Sequence, residues 1–166
     1  NAITDETQRQ VIADIYGLEV ITVASATPRS MQKDNAGRFL FASDPDYCCH
    51  INKVLPMEPI LRSHDVWING VRADQNANRS KMKEEQRTPQ GAMRYHPMLP
   101  WTNKMIWAYI KEFDIPRHPL EAEGYSSIGC EPCTRKVDPS AHTDERMARW
   151  FGMNKTECGL HTELIK

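Results

Sequence analysis

The stretch SSIGCEPCTR, residues 126–135, presents two cysteines, Cys130 and Cys133, three positions apart. Pro132 lies between them and stiffens the turn, so both sulfurs can face one metal centre without a rearrangement of the backbone. Taken alone, this spacing fits a metal ligand pair, a zinc staple or a redox dithiol. A complete metal site requires further ligands from elsewhere in the chain.

An adjacent pair, Cys48 and Cys49, lies far upstream and supplies those ligands. Neighbouring residues fit the separated iron corners of a cubane cluster better than one compact tetrahedral zinc ion. The spacing therefore favours an iron–sulfur cluster over zinc, with two buried core cysteines as the remaining alternative. The fifth cysteine, Cys158, is left outside this set of four.

Length and composition indicate an ordinary globular chain. The 166 residues, 40% of them hydrophobic, fit a single domain over 1–166 with its own core. The 21 Lys and Arg residues nearly balance the 22 Asp and Glu residues, which gives no general attraction for nucleic acid. No apolar run is long enough to cross a membrane, and the first residues lack the features of a signal peptide. We therefore expect a cytoplasmic protein whose cysteines serve metal or thiol chemistry.

The first part of the chain reads as a helix followed by a strand. A cap within residues 4–6 and apolar residues at helical spacing predict a helix that ends at Gly17. The apolar, β-branched run over 18–23 predicts a strand. A helix followed by a strand resembles the second half of an α/β unit.

The segment around the adjacent cysteines predicts a second helix. Residues 44–46 (Asp-Pro-Asp) can cap it, so that Cys48 and Cys49 fall in its first turn, and Pro56 and Pro59 kink or end it. Lys53 then lies about one turn beyond the cysteines. The helix thus brings a cation close to two candidate ligands.

The central third predicts two strands separated by polar residues. The segments are a buried strand over 65–69, a polar loop from Gly70 through Arg72 and Arg79, a charged mobile segment over 80–91, and a strand over 93–98. Loops at strand ends of open α/β sheets are usual places for ligands.

The last third predicts two helices and a tail. Thr102 caps a helix with an apolar face, and residues 144–150 form a short helix that presents Arg146 and Arg149 on one side. The tail over 152–166 has no periodicity, and we expect it to be mobile.

Cys158 lies in this tail, in the heptapeptide KTECGLH, residues 155–161. An isolated cysteine is most simply an incidental surface thiol. Here Lys155 and His161 can favour the nucleophilic thiolate, and a terminal segment can swing a thiol into a pocket and out again.

The basic residues in the segments nearest these thiols form a candidate anion site. Scattered Lys and Arg side chains are usually solvated surface. Together they can clamp a sulfate or a phosphate. His161 is likewise either an exposed residue of the tail or a hydrogen-bond donor to an anion. The candidates are Lys53, Arg72, Arg146 and Arg149.

Five motifs, in this order, resemble the assimilatory adenylyl-sulfate (APS) reductases, which belong to the larger family of phosphoadenylyl-sulfate (PAPS) reductases. They cover most of the chain. The motifs are CCHINK (48–53), GVRADQ (70–75), YSSIGCEPCT (125–134), RW (149–150) and KTECGLH (155–161).

The resemblance implies a fold and a set of site residues. The fold is an adenine-nucleotide α-hydrolase-like α/β fold, an open sheet with flanking helices. The implied cofactor is a [4Fe-4S] cluster on four cysteines, with a fifth cysteine as nucleophile and five basic residues as substrate ligands. These residues are Cys48, Cys49, Cys130 and Cys133 for the cluster, Cys158 for the nucleophile, and Lys53, Arg72, Arg146, Arg149 and His161, as cations, for the substrate.

The implied reaction reduces adenylyl sulfate to sulfite and AMP through an S-sulfocysteine at Cys158, in sulfate assimilation and cysteine biosynthesis. Thioredoxin or a glutaredoxin-like dithiol is the implied electron donor. A PAPS or dual-substrate reductase and a non-catalytic zinc-binding relative stay open, as does a homo-oligomer.

The sequence departs from the pattern of the family in two respects. The family normally begins with a strand and a Ser-Gly-Gly-x-Asp-like nucleotide loop, which these residues lack, so we expect the carboxyl-terminal part of a longer enzyme. Asn52 stands where many relatives carry a basic residue.

Overall fold

The computed structural model describes residues 2–136, 146, 148–150, 152–153 and 155–162. These residues belong to two compact units, one formed by Asn1–Thr22 and Lys104–Gly152, the other by Val23–Asn103 and Met153–Lys166. The single domain over 1–166 stays a prediction. None of the helices in the described part of the chain has the length and apolar character that a membrane crossing requires.

The first unit contains the amino-terminal helix α1, Ala2–Tyr16. Gly17 follows it with φ at +62°, in the left-handed region that glycine adopts without strain, and the Leu18 N–H donates to the Ala13 carbonyl at 2.9 Å. This helix and its end confirm the sequence prediction.

The strand predicted over 18–23 is wrong. These residues have no regular secondary structure, and the side chains of Leu18 and Ile21 are 57% and 58% exposed. A β-branched sequence favours the extended backbone, but a strand forms only where a neighbouring strand takes up its hydrogen bonds. The described residues provide no such neighbour for this segment.

The second unit has three helices near the adjacent cysteines, which are the last two residues of the middle one. These helices are α2, Leu40–Ser43; α3, Pro45–Cys49; and α4, Leu55–Ser63. The Asp44 side chain accepts the Tyr47 N–H at 2.9 Å, which confirms the predicted cap of α3. Of the two effects predicted for Pro56 and Pro59, ending the helix is wrong, because Pro59 lies inside α4, and kinking it stays a prediction. A π-helical turn, His50–Val54, joins α3 to α4, so that Pro56 falls in a first turn where its missing N–H has no cost.

The sheet of the second unit has three strands: β1, Val66–Ile68; β2, Glu85–Arg87; and β3, Met93–Tyr95. The central strand β3 pairs parallel with β1 and antiparallel with β2. This small open sheet with flanking helices confirms the predicted α/β class.

Two details of that sheet differ from the sequence prediction. Strand β1 is where we expect it but is not buried, since Val66 and Ile68 are 52% and 64% exposed. Strand β2 lies in the segment predicted to be mobile, and its short, polar sequence forms a strand because β3 pairs with it.

The first unit also contains most of helix α5, Asn103–Glu112, which confirms the predicted helix after Thr102. Near the end of the chain, the second unit contains the short helix α6, Gly159–Thr162, which packs against α3 and the π-helical turn. The mobility of the tail stays a prediction.

The interior of the second unit is unusually polar. Its hydrophobic cluster is small and consists of Val71, Met82 and Leu99, with Ala73 packed against it. The largest fully buried side chains in the described part of the chain are Arg94, His96 and Glu157. A buried carboxylate requires specific partners, and those of Glu157 lie next to the candidate site.

Candidate active site

The thiol of Cys158 lies beside the ammonium group of Lys53 in the second unit. Lys53 comes from the π-helical turn and donates to Cys158 Sγ at 3.3 Å. Cys158 immediately precedes α6, which packs against that same turn. A cation at this distance favours the thiolate, which is the nucleophilic form of cysteine.

Cys49 also contacts Cys158. A hydrogen bond from Cys49, together with the charge of Lys53, lowers the pKa of Cys158 to about 5 against the opposing effect of burial. The same hydrogen bond, followed by burial, raises the pKa of Cys49. Of the two sulfurs, Cys158 is therefore the one whose thiolate form is favoured.

A buried ion pair fixes the residue before Cys158. The Arg79 guanidinium donates from Nε to Glu157 Oε2 at 2.8 Å and from Nη2 to Oε1 at 2.9 Å. Glu157 Oε1 also accepts the backbone N–H of Cys158 at 2.9 Å, and Asn76 Nδ2 donates to Oε2 at 3.3 Å. Arg79 is 6% exposed and Glu157 is 2% exposed.

His161 is neutral in this arrangement, which corrects the expectation of a cation. Burial, followed by the charge of Arg79, lowers the pKa of His161 to about 3. Its ring stacks on Trp67 with centroids 6.0 Å apart and planes 9° from parallel. A neutral imidazole can donate one hydrogen bond to an anion but contributes no positive charge.

Arg72 is buried in the same unit, at 8% exposure. Its Nε donates to Asp74 Oδ1 at 2.9 Å, and its backbone N–H donates to Gln75 Oε1 at 3.1 Å. The second unit thus contains six of the ten predicted site residues: Cys48, Cys49, Lys53, Arg72, Cys158 and His161.

The first unit contains the cysteine pair of the stretch 126–135. A 3-10 turn, Glu131–Cys133, follows Cys130, and the Thr134 hydroxyl closes it by donating to the Cys130 carbonyl at 2.9 Å. The Gly129 N–H donates to the same hydroxyl at 3.1 Å. These local bonds hold both cysteines on one short turn, as the sequence predicts.

Arg149 braces that turn from inside. Its Nε donates to the Cys133 carbonyl and its Nη1 to the Ile128 carbonyl, both at 3.1 Å. A Cβ on Gly129 would overlap the Arg149 guanidinium, so a larger residue there would displace the guanidinium from this position. The side chain of Arg149 therefore supports the cysteine turn.

The helix predicted over 144–150 does not extend to Arg149, which forms an isolated β-bridge with Thr134. Residues 144, 145 and 147 lie outside the described part of the chain. The guanidinium carbons of Arg146 and Arg149 lie 5.4 and 4.8 Å from the centre of the Trp150 ring. The two arginines therefore lie close together because both contact Trp150, and not because they share one face of a helix.

Comparison with known families explains the shared motifs. Residues 3–136 match the model of the phosphoadenosine phosphosulfate reductase domain. The chain belongs to this family. The family match and the mixed α/β architecture agree with the adenine-nucleotide α-hydrolase-like fold that the resemblance implies.

Three relatives show how similar the sequence of this family member is to those of named reductases. An adenosine 5'-phosphosulfate reductase of Burkholderia cepacia is 44% identical over 71% of the chain and 48% of its own length. A phosphoadenosine 5'-phosphosulfate reductase of Gloeobacter violaceus is 39% identical over 92% of the chain and 64% of its own length. An adenosine 5'-phosphosulfate reductase of Rhodococcus erythropolis is 36% identical over 92% of the chain and 62% of its own length. The chain thus spans about half to two thirds of these relatives.

The cysteines of this family member suit a sulfur-ligated metal centre. All five are reduced cysteines, Cys49 and Cys133 are buried, and thiolates are the ligands of iron–sulfur clusters and of zinc. Asn52, the departure from the family pattern, donates to the Cys48 carbonyl at 2.9 Å and lies 3.6 Å from its sulfur. Over the part of the chain that the structure describes, no three Cys, His, Asp or Glu side chains come together as a ready metal site.

Sequence reasoning missed the ion pair between Arg79 and Glu157. Both residues occur in segments that the sequence analysis singled out, the polar loop and the heptapeptide. Their partnership has no local signal, because they are far apart in the chain and each has many candidate partners of opposite charge.

Proposed function

We propose that the protein reduces adenylyl sulfate to sulfite and AMP through an S-sulfocysteine on Cys158. The observation that carries this proposal is the contact of 3.3 Å between Cys158 Sγ and Lys53 Nζ. The family match and the names of the relatives support the same substrate class. Because the chain spans only part of those relatives, the activity is proposed for the whole protein.

In the first step, the Cys158 thiolate attacks the sulfur of the sulfonyl group. A bond forms between the two sulfurs, the bond from that sulfur to the bridging oxygen breaks, and AMP leaves with the electron pair. We assign to Lys53, Arg72, Arg146 and Arg149 the binding of the sulfate and phosphate charges. Neutral His161 serves as a hydrogen-bond donor to the substrate.

In the second step, one thiolate of a dithiol donor attacks Cys158 Sγ and sulfite leaves with the electron pair. The second thiol of the donor then attacks the mixed disulfide, which restores Cys158 and oxidises the donor to its disulfide. Thioredoxin or a glutaredoxin-like protein is the proposed donor. The cytoplasm, where such donors keep thiols reduced, is the proposed compartment.

We also propose that Cys48, Cys49, Cys130 and Cys133 hold a [4Fe-4S] cluster. Their chemistry fits, since all four are reduced cysteines and each pair lies on one helix end or one short turn. Bound there, the cluster would supply local charge and a rigid support rather than electrons for the reaction.

The nucleophile is tested by mass spectrometry. Incubation with adenylyl sulfate should add a sulfonate to the peptide that contains Cys158, and Cys158→Ser should abolish the adduct. Lys53→Gln should slow adduct formation about 100-fold, because it removes the cation beside the thiol. Lys83→Gln, an exposed lysine of the same unit, is the matched control. An adduct that persists in Cys158→Ser contradicts the assignment.

The cofactor is tested separately by elemental analysis of protein purified without oxygen. Iron and acid-labile sulfide in equal amounts should be present. Zinc without sulfide would instead support a zinc-binding relative.

A PAPS reductase is the second candidate, because the relative from Gloeobacter violaceus carries that name. Rates of adduct formation with adenylyl sulfate and with its 3'-phosphorylated form distinguish the two substrates. Faster reaction with the unphosphorylated form supports the first proposal, and the reverse order supports the second.

A further inference from the structure

We propose that Glu157 and Arg79 form a buried clamp that positions Cys158, so that both are positioning residues for the nucleophile. This inference rests on the role proposed above for Cys158. It assigns a function to two residues outside the anion site: Arg79, which no motif includes, and Glu157, which precedes Cys158 in the heptapeptide.

The geometry ties the carboxylate directly to the backbone of the nucleophile. Glu157 Oε1 accepts the Nη2 donor of Arg79 and the backbone N–H of Cys158, both at 2.9 Å. Because one oxygen serves both donors, the carboxylate cannot shift without moving Cys158. The clamp thereby fixes where the chain enters α6.

Arg79 is itself held rigidly. Its backbone N–H donates to Asn76 Oδ1 at 2.8 Å, and its Nη1 donates to Gln75 Oε1. Asn76 then reaches Glu157 Oε2 through its amide nitrogen at 3.3 Å. All three guanidinium nitrogens and the backbone N–H thus donate to one carboxylate or to the residues that support it.

Two weaker contacts tether the residues before the clamp. The Asn78 amide donates to Thr156 Oγ1 at 3.0 Å, and Lys155 Nζ pairs with the carboxylate of Asp46. The Lys155 side chain is buried, but Asp46 is 77% exposed and the contact of Asn78 is exposed, whereas both members of the Arg79–Glu157 pair are buried, at 7% and 1%. The buried pair therefore decides the position, and the exposed contacts follow it.

Activation of the thiol is not a role that suits Glu157. A carboxylate adjacent to Cys158 disfavours the thiolate, whereas Lys53 at 3.3 Å favours it. The carboxylate is retained because it can accept from Arg79 and from the Cys158 N–H at once. Its function is to hold the thiol within reach of Lys53.

The test compares Glu157→Gln and Arg79→Lys with Asp34→Asn in the purified protein. Asp34 belongs to an exposed ion pair with Arg38 of similar length, 2.8 Å, in the same unit, and is the matched control. Amide hydrogen exchange of the peptide over 155–162 reports docking. The rate of sulfonate transfer from adenylyl sulfate to Cys158 reports positioning, measured as kcat and KM where turnover is available.

We expect Glu157→Gln to accelerate exchange in 155–162 and to slow sulfonate transfer at least tenfold, through kcat rather than KM. Arg79→Lys keeps the charge but loses the double contact, so it should show a smaller change in the same direction. Asp34→Asn should match the parent. If Glu157→Gln does not fold, Arg79→Lys decides alone.

Exchange and transfer rates equal to the control would overturn the inference, and so would faster exchange with unchanged transfer. If the parent protein forms no adduct, the proposed function fails independently of the clamp. Alkylation of Cys158 by iodoacetamide at about pH 9.5, where free thiols are mostly ionised, then measures its exposure. Faster alkylation in Glu157→Gln than in Asp34→Asn supports the clamp, and equal rates contradict it.

Discussion

Two buried arginines, one in each compact unit, hold cysteine-bearing segments by different chemistry. Arg79 holds the residue before Cys158 through the carboxylate of Glu157. Arg149 holds the turn of Cys130 and Cys133 through backbone carbonyls. Their exposures are similar, 6% and 8%, so the difference lies in the partner and not in the depth of burial.

The comparison separates two ways to stabilise a buried cation. A carboxylate neutralises the guanidinium fully, but each member of the pair then depends on the other. Carbonyl oxygens satisfy the hydrogen bonds and leave the charge only partly compensated. The first arrangement is therefore the more sensitive to loss of one partner, and the second to any change of space around the guanidinium.

The largest effect is expected where the carboxylate loses its cation. Arg79→Met should lower the free energy of unfolding by about 3–5 kcal/mol, because it leaves Glu157 buried with an uncompensated charge. Urea denaturation measures the loss. The double variant Arg79→Met with Glu157→Leu should lose much less than the two single variants combined, and strict additivity would contradict the pairing.

A smaller effect is expected at the arginine held by carbonyls. Gly129→Ala should cost about 2–3 kcal/mol, because its Cβ displaces the Arg149 guanidinium from the carbonyls of Cys133 and Ile128. Gly70→Ala is the control, since its Cβ would meet only the Met98 sulfur at 3.6 Å. Equal unfolding free energies for the two variants would contradict the role of Gly129.

The surroundings of the clamp also predict a pH dependence. The folded pKa of His161 is about 3, below the unfolded value near 6.5, so protonation favours the unfolded chain. Its contribution to stability is complete above pH 6.5 and is lost as the pH falls toward 3. At pH 5 the free energy of unfolding should be lower by about 2 kcal/mol than at pH 7.

His161→Phe keeps the ring on Trp67 and removes the titration, so it should flatten this slope. His96, Arg79, Arg94 and Glu157 face the same group and stay in place in both proteins. Because burial also lowers the pKa of His96, part of the slope should persist. An unchanged slope in His161→Phe would show that His161 titrates normally.

The smallest effect is expected where no charge is involved. Gln32 and Asn52 exchange two amide hydrogen bonds, at 2.7 and 3.0 Å, and Gln32 is 5% exposed. Gln32→Ala removes these two bonds and a third to the Thr27 carbonyl, all partly buried, and should cost about 1–2 kcal/mol. Gln10→Ala, which removes an exposed bond to Asp14, should leave the urea midpoint unchanged. If Gln32→Ala lowered the free energy of unfolding as much as Arg79→Met, the expected difference between charged and neutral partners would be contradicted.

Local sequence was sufficient for several parts of the fold. The end of α1 at Gly17 and the start of α3 at Asp44 were predictable, because a cap depends on a few neighbouring residues. Pairing of strands was not predictable. The apolar run 18–23 has no strand partner in the described chain, while the polar segment 85–87 has one.

The candidate site divides in the same manner. The motifs by themselves determined the family and the residue types, and they placed Cys130 and Cys133 on one turn. Only the tertiary structure decided that Lys53 lies beside Cys158, that Arg79 clamps Glu157, and that His161 is neutral. A short motif fixes the chemistry of its own side chains, whereas burial and charge pairing depend on residues that folding brings from distant parts of the chain.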